Sequence, residues 1–190
     1  MVLQFKMTFG RINYEDLAQQ GVRYNLTINT TPGAYNHSSR SDEYTEFLND
    51  FKAFLVLPPN SNSYLALRVF YSFITSQNIL RYQSIGGLNS VRGFNDDQFM
   101  GQQVYYSNVE YRMTLWKGER FAFQIVPFVD SGKAISKNGS IFHGYTALSM
   151  GAGIRIPFIK VNTLAFRADY ARTISPFKMS GPSFSVTQFY

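Results

Sequence analysis

Apolar and polar residues alternate with a period of two along most of the chain. Leu3, Phe5, Met7 and Phe9 alternate with Gln4, Lys6 and Thr8; Leu65, Leu67, Val69, Tyr71 and Phe73 alternate with Ala66, Arg68 and Ser72. The pattern returns in Val109, Tyr111 and Met113 against Asn108, Glu110 and Arg112, and in Phe166, Ala168 and Tyr170 against Arg167 and Asp169. Successive side chains of a strand point to opposite faces, so this period predicts strands with one apolar and one polar face. Strands are predicted at 2–9, 21–30, 46–57, 64–74, 102–115, 121–131, 145–157, 163–172 and 182–190. The segment 46–57 alternates poorly and Pro127 interrupts the sixth strand, which predicts a bulge or an edge there. The one helix-like piece is YEDLAQQ at 14–20. No apolar run approaches the roughly 20 residues that a membrane helix needs.

Alternation of this kind also suits a half-buried soluble sheet. Three features favour a membrane. Several runs exceed the usual 5–6 residues or so of a globular strand and reach the roughly 9–11 of a membrane strand. The connections PPNSNS, WKGER and PFIKVN are short, whereas those near 31–45, 75–101 and 131–144 are long and polar, the plan of outer-membrane barrels. Aromatics recur at predicted strand ends, among them Tyr64, Trp116, Phe121, Phe158 and Tyr170, as interfacial girdles require. The fold class is therefore all-β, an antiparallel transmembrane β-barrel of about eight strands, with a ninth partial strand as the variant. Bacterial single-chain barrels have even strand numbers. Residues 21–190 are accordingly expected to form the barrel, with 75–101 folding inward, and 1–20 an N-terminal extension or partial strand.

Composition narrows the chemistry. There is no cysteine, so disulfides and thiolate chemistry are excluded. The formal charge is +6, but the basic residues are scattered singly through the strands and do not form the patch or stripe of a nucleic-acid footprint. MVLQFKMTFG lacks the apolar core of a signal peptide, so for an exported chain the numbering is expected to begin in the mature protein. His37 and His143 lie in long polar loops with no acid–nucleophile arrangement nearby. Asp96 and Asp97 could approach a divalent cation, although a loop pair is more often solvated. GGLNSVRG lacks the strand–loop–helix setting of a phosphate cradle. The N-x-S/T matches at Asn25, Asn29, Asn36 and Asn138 carry little weight in such strands. No catalytic residue, metal or cofactor is expected, and the chain does not read as an enzyme.

The stretch GGLNSVRGFNDDQFMG, 86–101, places an arginine between small residues in a long loop. Glu110, Arg112 and Asp130 fall on the polar phase of the two strands that follow. A charge inside a narrow lumen is costly unless paired. Arg92, folding inward, is expected to pair with Asp130, with Glu110 as second partner, since a guanidinium fork matches a carboxylate.

Val91, Arg92, Gly93 and Phe94 resemble the VRGF/Y motif of the outer-membrane assembly and two-partner-secretion barrel superfamily. The resemblance continues through SNVEYR at 107–112, FVDSG at 128–132, GAGIRIP at 151–157 and LAFRADYA at 164–171. The final SFSVTQFY resembles the C-terminal assembly signal, with Phe184, Val186 and Tyr190 at its apolar positions. The likeness is strongest over 84–190, reaches back to about 21, and corresponds to the C-terminal half of a larger barrel, without room for the periplasmic substrate-binding repeats of most members. It implies an integral bacterial outer-membrane barrel acting in protein insertion, translocation or membrane lipid homeostasis. The alternatives are a passive structural barrel or small pore and, behind it, a lipid-modifying barrel enzyme. The implied partners are outer-membrane lipids and polypeptide clients. An eight-stranded lumen is too narrow for residues 75–101, so either the loop stays at the mouth or the sheet stays open and its edges near 21–30 and 182–190 pair with a second copy or a partner barrel.

Overall fold

The computed structural model describes residues 2–15, 17–31, 43–57, 63–76, 81–136, 139, 145–159 and 164–188. Its strands in chain order are β1 (Leu3–Glu15), β2 (Ala18–Thr31), β3 (Tyr44–Val56), β4 (Ser63–Ser76), β5 (Gln83–Ile85), β6 (Phe99–Gly101), β7 (Gln103–Lys117), β8 (Ala122–Ile135), β9 (Ala147–Pro157), β10 (Leu164–Ser175) and β11 (Ser180–Gln188). Nine of them form one sheet in the order β1-β2-β3-β4-β7-β8-β9-β10-β11, with every neighbouring pair antiparallel. The short β5 and β6 make a separate hairpin within the long connection from β4 to β7. Among the described residues there is no helix.

The sheet therefore has nine full members rather than eight. Residues 1–20, expected as an extension or partial strand, contribute the 13-residue β1 and the start of β2. The described residues of YEDLAQQ are not helical: they hold the end of β1 and the first residues of β2, with Glu15 opposite Ala18. Pairing overrides the local helical pattern because the ladder runs unbroken from Leu3↔Thr30 to Glu15↔Ala18. The region 21–30 is consequently not an edge; β2 is flanked by β1 on one side and β3 on the other. The edges are β1 and β11, which are not paired with each other among the described residues. Beside Pro127 the β7–β8 ladder skips Tyr111 and Arg112, and the register shifts a few residues away, between Thr114 and Trp116.

Alternation sorts the side chains onto two faces. The outer face carries Phe5, Phe9, Val69, Val109, Met150, Ile154, Phe166, Tyr170 and Val186, all exposed. So long and apolar an exposed surface is what a strand presents to lipid. The inner face carries the charged and amide side chains of the same strands. The β4–β7 connection lies against it. Ile85, Val91 and Phe94 from that connection pack with Val104, Tyr106 and Ala147 in a buried apolar cluster, joined by Phe70, Phe99 and Ala134. The base of the connection is fastened on both sides, by Ile74 N–H donating to the Gln102 carbonyl and Gln102 N–H to that of Ile135, each at 2.9 Å.

Candidate functional site

The loop delivers its arginine where the inner faces of β7, β8, β9 and β10 converge. Gly93 permits the approach: its backbone has φ of +87°, and a Cβ there would stand 3.1 Å from both Ala171 and Thr173 of β10. Gly132 on β8 makes a similar allowance, since a Cβ would reach 2.7 Å from Val91. The edge contact of Phe94 with Phe99, and the stacking of Phe99 on Phe177 beyond β10, hold the far side of the loop.

Arg92 is 1% exposed. Its Nε donates to Asp130 Oδ2 and one terminal nitrogen to Asp130 Oδ1, both at 2.6 Å, a bidentate fork. The other terminal nitrogen donates to Glu110 Oε1 at 2.7 Å and reaches Asp169 Oδ2 at 3.3 Å. Its backbone N–H also donates to Asp130, at 3.1 Å. The guanidinium carbon stands 3.4 Å above the centre of the Phe128 ring, so the cation is stacked as well as paired. Burial alone would lower the Arg92 pKa; the Asp130 hydrogen bonds and the charges of Glu110, Asp130 and Asp169 outweigh it and raise the pKa above the ordinary arginine value.

Further cations complete the cluster. Arg112 donates to Glu110 Oε2 at 2.8 Å and to the Tyr64 hydroxyl at 3.2 Å. Arg155 bonds Asp169 and lies 3.4 Å from Glu110 Oε1; Arg167 donates from Nε to Asp169 Oδ2 at 2.6 Å. Asn108 links the cluster to the loop, donating to Asp130 at 2.9 Å and to the Ser90 carbonyl at 2.6 Å. Four guanidinium groups thus interlock with three carboxylates in nearly dry surroundings. Charges so buried are stable only when each finds partners, and the interlocking provides them. Gly153 leaves room for this: a Cβ would fall 1.8 Å from Asp169 Oδ1.

Of the residues singled out around the motif, Arg92, Glu110, Arg112 and Asp130 meet in this cluster, Val91 and Phe94 pack in the apolar cluster beside it, and Gly93 lies against β10. Sequence reasoning missed Asp169, Arg155 and Arg167 as its members. Their signal was present, because each lies on the polar phase of its strand, the phase of Glu110 and Asp130. Phe184 and Val186 stand apart on the outer face of β11, 75% and 59% exposed. Tyr190, His37, His143, Asn36 and Asn138 lie outside the described residues. Asp97 accepts a hydrogen bond from Ser84, and Asp96 packs against Gly87. Among the described residues no group of His, Cys, Asp and Glu is arranged to hold a metal ion. Asn25 and Asn29 are tied into inner-face ladders.

The chain matches the Omp85 superfamily domain over residues 1–186. It belongs to this superfamily. The match takes in β1 and β2 as well, so the family likeness begins well before residue 21, in keeping with a first strand that is complete. No individual curated protein matches the chain. Within the Omp85 frame, the fastened loop with Arg92 at its inner end is the feature that distinguishes this sheet from a plain antiparallel one.

Proposed function

We propose that this Omp85 chain is an integral barrel of the bacterial outer membrane that acts there in the insertion or translocation of polypeptides, with lipid homeostasis as the broader setting. One observation carries the reading: a loop of the outer-membrane superfamily is held against the inner wall by an arginine that engages carboxylates from three strands. A passive wall would need no such device, because polar side chains on an inner face can be satisfied by water. A loop fixed this firmly shapes the passage and braces one half of the sheet while the rest stays free to change partners. The exposed apolar outer face supports the membrane setting. No catalytic step is assigned to the chain.

Unpaired strand edges in lipid cost several kcal/mol or so per exposed backbone group. In this reading the edges of β1 and β11 are satisfied by each other, by a second copy or by a partner barrel. Cysteines at Phe5 and Val186, crosslinked in membranes, distinguish a link within one chain from a link between chains.

The function is tested by replacing the chain in its host with Arg92→Ala and measuring the folded fraction of outer-membrane barrels by heat-dependent gel mobility. Loss of folded barrels, with the variant itself still in the membrane, is the expected result. Unchanged barrel levels with a correctly inserted variant would overturn the proposal in favour of a passive barrel or pore.

A further inference from the structure

We propose that the outer face of β9–β11 seats one chain of a phosphate-bearing lipid in a hollow over Ala152 and Ala168, with the headgroup at Arg172. The inference rests on the membrane setting proposed above and not on a role in polypeptide insertion.

Two transverse rows of the sheet shape the hollow. In one, Ala168 of β10 stands between Ile154 of β9 and Phe184 of β11; in the next, Ala152 of β9 stands between Pro127 of β8 and Tyr170 of β10. The two alanines are diagonal neighbours, because Ala152 is opposite Tyr170 and Ala168 lies two residues before it. Diagonal positions on one face lie within reach of each other, so the two gaps merge. The result is an outward-facing hollow of about 410 Å³ with apolar walls. Phe184, 75% exposed, and Tyr170, 57% exposed, rise beside it. An acyl chain lying there meets carbon on several sides, which gathers more dispersion contacts than a level wall offers.

The charge nearby agrees with the shape. Arg172 is exposed and, among the described residues, is the one charged side chain on the outer face of β9–β11. It stands two residues beyond Tyr170, about 7 Å along the strand, toward the end that carries the long connections. Its neighbours in register are Met150 and Ser180, so no carboxylate stands beside it in its row. A guanidinium turned toward lipid is costly unless it reaches water or an anion, and its planar fork matches a phosphate. A chain in the hollow and a phosphate one step beyond it describe a single amphipathic molecule. A second copy of this chain fits less well, since an isologous contact would bring two uncompensated Arg172 side chains to one apolar interface.

The test uses the whole chain in phosphatidylcholine bilayers. Trp116→Phe removes the single native tryptophan, and Tyr170→Trp then places a reporter at the rim of the hollow. Phe5→Trp, on the outer face of β1, is the comparison. Phosphatidylglycerol brominated on its acyl chains is added in increasing mole fraction, and quenching is read. Half-maximal quenching at position 170 is expected at a mole fraction about fivefold lower than at position 5, the effect of one cation near an anionic headgroup. With brominated phosphatidylcholine the two positions should agree. Arg172→Gln should remove the fivefold difference, and Ala168→Leu, which fills the hollow and leaves Arg172 in place, should reduce it. Equal phosphatidylglycerol curves at the two positions, or a preference that survives both substitutions, would overturn the proposal. Quenching at position 5 but not at 170, by either lipid, would overturn it in favour of a protein partner on this face. Quenching at neither position would overturn the membrane setting along with it.

Discussion

The two halves of the inner face solve the same problem differently. Under the loop, β7–β10 bury whole charges and pair them against each other. Along the open ends of β1–β3, amides and hydroxyls dominate and lead to one carboxylate: Gln4 donates to Asn29 at 2.9 Å, Asn29 to Glu46 at 2.8 Å, and Thr8 to Asn25 at 2.9 Å. β1 is exposed on both faces for most of its length. A half-exposed ladder of this kind can exchange its partners for water at little cost, whereas a dry ion cluster cannot. The covered half is thus all-or-none, and the open half is tolerant of change.

Arg92→Ala should break this contrast most sharply. It leaves Asp130 and Glu110 buried without their shared cation, at a cost of roughly 3–5 kcal/mol. Denaturant unfolding in micelles should register this loss, while Arg172→Ala on the exposed outer face stays within about 0.5 kcal/mol of the parent. Arg92→Lys should fall between them, since an ammonium keeps the charge but cannot span carboxylates from β7, β8 and β10 at once. An Arg92→Ala variant as stable as Arg172→Ala would erase the distinction between the halves.

Gly93→Ala acts on the same loop through its backbone. A left-handed residue with a side chain, pressed against Ala171 and Thr173, should lose roughly 1–3 kcal/mol. Limited proteolysis should then cut within 86–101 faster than in the parent, with the strands spared. The smallest effect is expected in the open half. Asn29→Ala removes the middle of the amide ladder, yet water can replace it, so the change should be about 0.5 kcal/mol or less by the same unfolding measurement.

The period of two made the strands legible, along with the face each side chain would take, because a pleated backbone offers only two directions. The same phase placed Arg92 with Asp130 and Glu110. It did not bring Asp169 into that group, although Arg167 and Asp169 alternate in step with it. The reason is curvature: strands distant in the chain bring their inner side chains together, and periodicity along one strand says nothing about closure across several. β1 was underestimated for a related reason. Its second half, GRINYE, loses the apolar alternation, and only the ladder with β2 shows that the strand continues to Glu15.

The count of nine has a geometric consequence for the seam. When every neighbour in a sheet is antiparallel, the first and ninth strands run in the same direction. Any closure that joins β1 to β11, within one molecule or between two copies inserted in the same sense, is therefore parallel. Its hydrogen bonds would be slanted and evenly spaced, unlike the alternating narrow and wide pairs everywhere else in the sheet. Crosslinks across such a seam would advance together along both strands, Phe5 and Phe9 pairing with positions that rise in number along β11 rather than fall. That single directional reading separates a closed ring of these strands from one completed by antiparallel strands of another kind.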